Sequence, residues 1–112
     1  MSEKLNILWT TDNAQTAINM IVMYATFAKK NKQFDEVCII IWGGSNILIK
    51  KESSLQNAIK EMISAGIIVR GCRSCADNMG TTELLESLGV DVDYMGMALT
   101  AILKEKEYLL TI

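Results

Sequence analysis

The chain has 112 residues, enough for one domain (residues 1–112) with a single core between a sheet and its helices. Half of the residues are apolar and 21% charged, which excludes a disordered tail; the 11 basic and 13 acidic residues form no run of like charge, which excludes a nucleic-acid footprint. No histidine is present, so Cys-His or Ser-His-Asp nucleophiles and His-ligated metal sites within the chain are excluded as well.

The opening segment carries Glu3 and no long apolar stretch, unlike an export signal. The nearly uncharged run from Leu5 to Ala28 is cut by Asp12, Asn13, Gln15 and Asn19, which a membrane span would not tolerate cheaply. A cytoplasmic protein without a membrane segment is expected. Residues 4–10, KLNILWT, read as a buried strand, and Thr11 or Asp12 as the cap of the helix that follows. That helix carries Ala14, Ala17, Ile18, Ile21, Ala25 and Ala28 on one face and Met20, Met23, Tyr24 and Phe27 on another. One stripe suits the sheet; the second calls for a neighbouring helix, the C-terminal segment or another subunit.

EVCIIIW, residues 36–42, is the continuous apolar run of a central parallel strand, with Cys38 read as an inert core residue. Gly43 and Gly44 open a loop, SNILIKKE, whose Ile47, Leu48 and Ile49 line a pocket or contact surface. Gly43, Gly44, Ser45 and Asn46 either approach a small anion or make the turn. Ser53 and Gln56 form a capping box for a helix with a stripe of Leu55, Ala58, Ile59, Met62 and Ile63, ended by Gly66. A third strand, residues 67–70, runs into Gly71, Cys72, Arg73, Ser74 and Cys75. A helix over residues 76–88 is interrupted near Gly80, where Thr81 and Thr82 either bind phosphate or cap, and it stops at Gly89. Strands at residues 90–94 and 108–112 flank a last helix over residues 97–107 with Ala98, Leu99 and Ile102 inward. The alternation predicts an α/β fold with a mostly parallel sheet.

Chemistry in open parallel sheets gathers where strands end and helices begin, and Cys72 and Cys75 fall at such a point. A helix N-terminus with Arg70 and Arg73 nearby favours thiolate, which Asp77 opposes. Thr11 and Asp12 end the first strand at the same sheet edge and join the candidate pocket. One Cys-x-x-Cys without histidine supplies two of the four ligands of a structural zinc site, so metal is confined to a symmetric interface. A thioredoxin-type site relies on a cis-proline, and this chain has none. Two ordinary buried cysteines and a sulfur-carrying thiol remain.

The segments IIVRGCRSCADNMG and LLESLGVDVDYMGMALTAILKEKEYLLTI resemble the C-terminal half of DsrE-like proteins, which include DsrE and DsrF, TusD and YchN. The likeness spans nearly the whole chain in element order. It implies a three-layer α/β/α sandwich on a five-stranded parallel sheet ordered 4-3-2-1-5, a homotrimer or homohexamer, and sulfur donor and acceptor proteins as partners. The family's persulfide-accepting cysteine corresponds to Cys72. Cys75 has a counterpart only in some members and is a resolving thiol, a second carrier or a packing residue. The implied chemistry is thiol exchange without metal or cofactor, with Arg70, Arg73 and the amides near Ser74 holding the anion. The competing expectation is a non-catalytic oligomeric module with structural cysteines and a small-ligand pocket under Ile47 to Ile49.

Overall fold

The computed structural model describes residues 3–112; Met1 and Ser2, at the head of the segment read for an export signal, lie outside them. Five strands form one sheet, β1 (Lys4–Trp9), β2 (Glu36–Ile41), β3 (Ile68–Cys72), β4 (Asp91–Asp93) and β5 (Tyr108–Thr111), in the order β4-β3-β2-β1-β5. Every neighbouring pair is parallel. The expected five-stranded α/β/α sandwich and strand order are therefore present.

This order dictates the layering. The steps β1 to β2, β2 to β3 and β3 to β4 all move the same way, so right-handed crossovers put their helices on one face. The step from β4 to β5 returns across the whole sheet and puts its helix on the other face. The first layer holds α1 (Ala14–Thr16), a π-helical stretch (Ala17–Val22), α2 (Met23–Lys30), α3 (Ser45–Lys51), α4 (Ser53–Ser64), α5 (Arg73–Met79) and α6 (Thr82–Ser87). The second holds α7 (Gly96–Lys104).

Side-chain alternation along the strands divides the core accordingly. Leu5, Ile7, Trp9, Val37, Ile39, Ile41 and Val69 pack with Ile21, Ile49, Leu55, Ile59 and Leu85 of the helix-rich layer. The opposite face carries a smaller cluster of Cys38, Ile40, Cys72, Met95 and Ile102, edged by Leu8, Trp42, Cys75, Ala98 and Leu109. Full burial of a large aliphatic side chain is worth about 1.5–3 kcal/mol, so the larger cluster carries most of the stability. The smaller face is where the cysteines lie.

Several local expectations are corrected. Asn13, not Thr11 or Asp12, caps the first helix, accepting from the Thr16 amide at 2.9 Å. Thr11 instead accepts from the Asn13 amide at 3.1 Å. The π-helical stretch widens the turns, so Ile18 faces outward while Ala17, Ile21, Ala25 and Ala28 are buried. The segment after Gly44 is helical, and Leu48 and Ile49 are core residues. Of the three apolar residues, only Ile47 is exposed. The Ser53 capping box is absent: Glu52 occupies the cap without a side-chain bond, and Gln56 donates to the Ile49 carbonyl at 2.9 Å. Strand β3 extends to Cys72, and α5 begins at Arg73, before the predicted helix. No helix among the described residues is long and apolar enough to cross a membrane.

Candidate functional site

Cys72 serves two elements, as the last residue of β3 and the cap residue of α5, with φ −75° and ψ 115°. The extended backbone keeps its side chain on the strand's second face, in line with Arg70. Three residues on, Cys75 lies in the first turn of α5 and returns to the same apolar cluster. Both are free thiols with different access: Cys72 is 5% exposed and Cys75 half-buried. Met95, also buried, packs in the same cluster, and Trp42, at the end of β2, borders it.

The turn after β2 meets this pair. Gly43 adopts φ +65°, a left-handed conformation costly for a side chain, and so swings the chain from β2 into α3. Its backbone amide lies near enough to the Cys75 thiol to lower its pKa. Gly44 sits against β1's end: a Cβ there would stand 3.3 Å from the Thr10 carbonyl oxygen and 3.7 Å from the Asp12 Cβ. Cys72, Cys75, Gly43, Gly44 and Asp12 thus converge at the carboxyl edge of the central strands.

Other candidates face elsewhere. Asn46 and Ser45 are fully buried and satisfied internally: Ser45 donates to the Trp42 carbonyl at 3.0 Å and Asn46 to the Gly43 carbonyl at 3.0 Å. The Thr81 hydroxyl donates to Asn46 Oδ1 at 2.8 Å, pinning the β2–α3 turn to the α5–α6 junction. These side chains build the turn rather than line a pocket. Thr11 is occupied in the turn after β1, where its carbonyl accepts from the Trp9 indole at 3.2 Å. Ser74 is exposed in the first turn of α5.

The arginines do not converge on the thiols as expected. Arg73 donates to the Val92 carbonyl at 2.8 Å and pairs with Glu86 at 3.7 Å, which ties it to β4 and α6. Arg70 pairs with Asp91 at 3.4 Å and lies one strand repeat before Cys72. The ionisation of Cys75 reflects this. Burial first, then the neighbouring Cys72 thiol, push it above the ordinary value, while the Gly43 amide pulls the other way. The expected bias toward thiolate is reversed at Cys75, because desolvation acts there without a compensating cation.

Cys38 is 2% exposed and level with Ile68 in the sheet. Burial pushes its thiol up, opposed by Lys4 and Arg70, in keeping with a core residue. Trp42 and Met95 are neighbours of the thiols beyond the residues expected at the site. The period-2 succession Cys38, Ile40, Trp42 would have placed Trp42 on the cysteine face. Met95 had no comparable signal, since it lies between β4 and α7.

One surface recess, about 430 Å³, lies at the opposite edge of the sheet, among Glu3, Lys4, Glu36, Glu107 and Tyr108. A shallower one of about 350 Å³ is formed by Asp77, Gly80, Thr82 and Glu83. Neither contains the cysteines.

No family model and no curated protein matches the chain. A solved structure is similar to it: BT1422, a conserved protein of unknown function from Bacteroides thetaiotaomicron, superposes with a TM-score of 0.95 at 41% sequence identity. The match covers 98% of this chain and 95% of that one. At that identity over nearly the full length of both, this chain belongs to the same protein family as the Bacteroides protein.

Proposed function

We propose that this protein is a cytoplasmic, DsrE-like persulfide carrier, a sulfurtransferase subunit whose chemistry runs on Cys72 and Cys75. The observation that carries the reading is the meeting of two free thiols of unequal exposure at the carboxyl edge of the central strands, beneath the Gly43 amide. A cysteine there takes the outer sulfur of a donor persulfide and releases the donor as a thiol. The acquired sulfur waits as Cys-S-SH until an acceptor thiol removes it.

A raised thiol pKa fits this role in a specific way. Such a thiol is mostly protonated at neutral pH and slow toward bulk reagents, yet once ionised it is a strong nucleophile. Exchange within a docked donor complex suits it better than capture from solution. Sulfur donor and acceptor proteins are accordingly the proposed partners, and the working form is a homotrimer or homohexamer. The exposed apolar residues of α2 and α7 support the assembly.

Intact-protein mass spectrometry after incubation with glutathione persulfide tests the reading, on wild type, Cys72→Ser and Cys75→Ser, with reductant to reverse the adduct. A reversible gain of one sulfur that is lost in one of the two variants is expected. Absence of any adduct in every form overturns the carrier reading and leaves the pair as packing residues.

A further inference from the structure

Access separates the two thiols. Cys75 is half-buried and the one an external donor reaches, whereas Cys72 is 5% exposed and enclosed with Ile40 and Met95. A thiol so enclosed meets reactants presented from within the molecule. Its neighbour in the same cluster, three residues along the first turn of α5, is Cys75. Cys72 is near enough to Cys75 to act on its ionisation, and since a disulfide needs Cβ atoms about 3.5–4.5 Å apart, closing one draws the first turn of α5 toward the end of β3. Cys38 is no alternative partner. It is level with Ile68, four residues before Cys72, or about 13 Å away at ~3.3 Å per residue.

We propose that Cys75, in place of the Cys72 that the resemblance implies as acceptor, is the entry thiol because it is the more exposed, and that Cys72 is a resolving thiol, so that the site discharges its cargo as sulfide and closes as a Cys72–Cys75 disulfide. The inference rests on the persulfide-carrier reading and assigns its product and co-reactant. In the first step the Cys75 sulfur attacks the outer sulfur of the donor persulfide. The donor's S–S bond breaks, the donor leaves as a thiolate, and the proton lost by Cys75 restores the donor thiol. In the second step the Cys72 sulfur, having given up its proton, attacks Cys75 Sγ. The bond from Cys75 Sγ to the carried sulfur breaks, and that sulfur departs with the electron pair as hydrosulfide. The two cysteines are oxidised by two electrons in total and the carried sulfur is reduced by two, so no outside oxidant enters. A dithiol reductant then reopens the disulfide by exchange and is itself oxidised to a disulfide.

This ordering gives the buried position of Cys72 a use. A resolving thiol open to solvent would compete for the donor, and one held below the entry thiol acts only on what Cys75 has received. It also separates this protein's output from simple relay: the sulfur leaves as sulfide unless an acceptor thiol intercepts the Cys75 persulfide first.

The test is a quenched, oxygen-free time course of the wild-type chain with glutathione persulfide, following intact mass, released sulfide and the peptide linkage of the cysteines. The expected course is a transient gain of one sulfur, then a burst of about one sulfide per chain. The product is two hydrogens lighter, with Cys72 linked to Cys75 and reopened by dithiothreitol. Cys72→Ser keeps the added sulfur on Cys75 and gives no burst; Cys75→Ser gains none on this timescale. Should Cys72→Ser fail to fold, Cys72→Ala takes its place, and the wild-type linkage map decides independently of either. A stable persulfide without sulfide release in wild type, or wild-type sulfide release from Cys72→Ser, overturns resolution while leaving the carrier intact. Rapid adduct formation on Cys72 in Cys75→Ser overturns the order of the thiols. No adduct and no sulfide in any form removes the carrier reading together with this one.

Discussion

Desolvation sets the behaviour of Cys75, and its sign is open to direct measurement. Burial raises the thiol pKa above the ordinary 9.0, so the rate of alkylation by iodoacetamide should climb across the neutral and mildly alkaline range. Its half-maximum should lie above 9.0, as read from the modified peptide. A plateau below that value would mean the Gly43 amide outweighs burial. The stability consequence has a fixed sign too. A folded-state pKa raised above the unfolded one favours the folded form while the thiol stays protonated in both states. That contribution is lost as pH rises through the folded value, so Cys38 and Cys75 both weaken the fold on the alkaline side. The cysteine pair was legible from the sequence because Cys-x-x-Cys at a strand end is a local pattern. The roles of Arg70 and Arg73 were not, because adjacency in the chain does not say which way a long side chain runs. Here Asp91, Glu86 and the Val92 carbonyl, all from other elements, take both guanidinium groups.

Among the elements, the strands and the amphipathic α4 are readable from periodicity, whereas the double glycine in front of α3 signals a loop. Its identity follows from tertiary burial of Leu48 and Ile49 and from the Asn46–Thr81 bond, neither of which is a local signal. The π-helical stretch likewise escapes a 3.6-residue period, which places Ile18 on the buried face where the structure turns it outward. Gly80 is an element boundary that the sequence did announce. It ends α5 at φ +68°, and replacing it with Ala should destabilise the protein by about 1–2 kcal/mol, the cost of a left-handed L-residue. Gly96, the first residue of α7, has an ordinary φ and open space around its missing Cβ. Gly96→Ala should leave stability unchanged or raise it by up to about 1 kcal/mol by restricting the unfolded chain. Urea unfolding of the two variants should move the midpoint in different directions, and equal losses would show that backbone conformation is not what distinguishes these glycines.

At the scale of the molecule, a single helix among the described residues packs on one face of a five-stranded sheet and leaves much of it uncovered, and the consequences are visible at its margins. Nine residues of α7 at ~1.5 Å each span about 13 Å, against a sheet about 24 Å wide at ~4.8 Å per strand. On this face Asn6 Oδ1 is buried without a hydrogen-bond partner, Arg70 Nε has only its 3.4 Å ion pair with Asp91, outside hydrogen-bond geometry, and Met97 and Leu103 stand 89% and 58% exposed on α7. The helix-rich side has its own apolar stripe, with Met23 and Phe27 at 59% and 50% exposure. Since the two stripes lie on opposite faces of the sheet, one contact with a second copy cannot cover both. In the proposed assembly, a closed ring formed through one stripe would leave the other free to pair two rings, so that a trimer and a hexamer would be successive assemblies of the same subunit. Light scattering of the wild type should therefore give a mass three or six times that of the chain. For a hexamer, Phe27→Glu and Leu103→Glu should each stop assembly at a different smaller species, and the double variant should be monomeric. For a trimer, one substitution should dissociate it and the other should be silent. A monomeric wild type at micromolar concentration would refute the assembly and leave both apolar stripes to other partners.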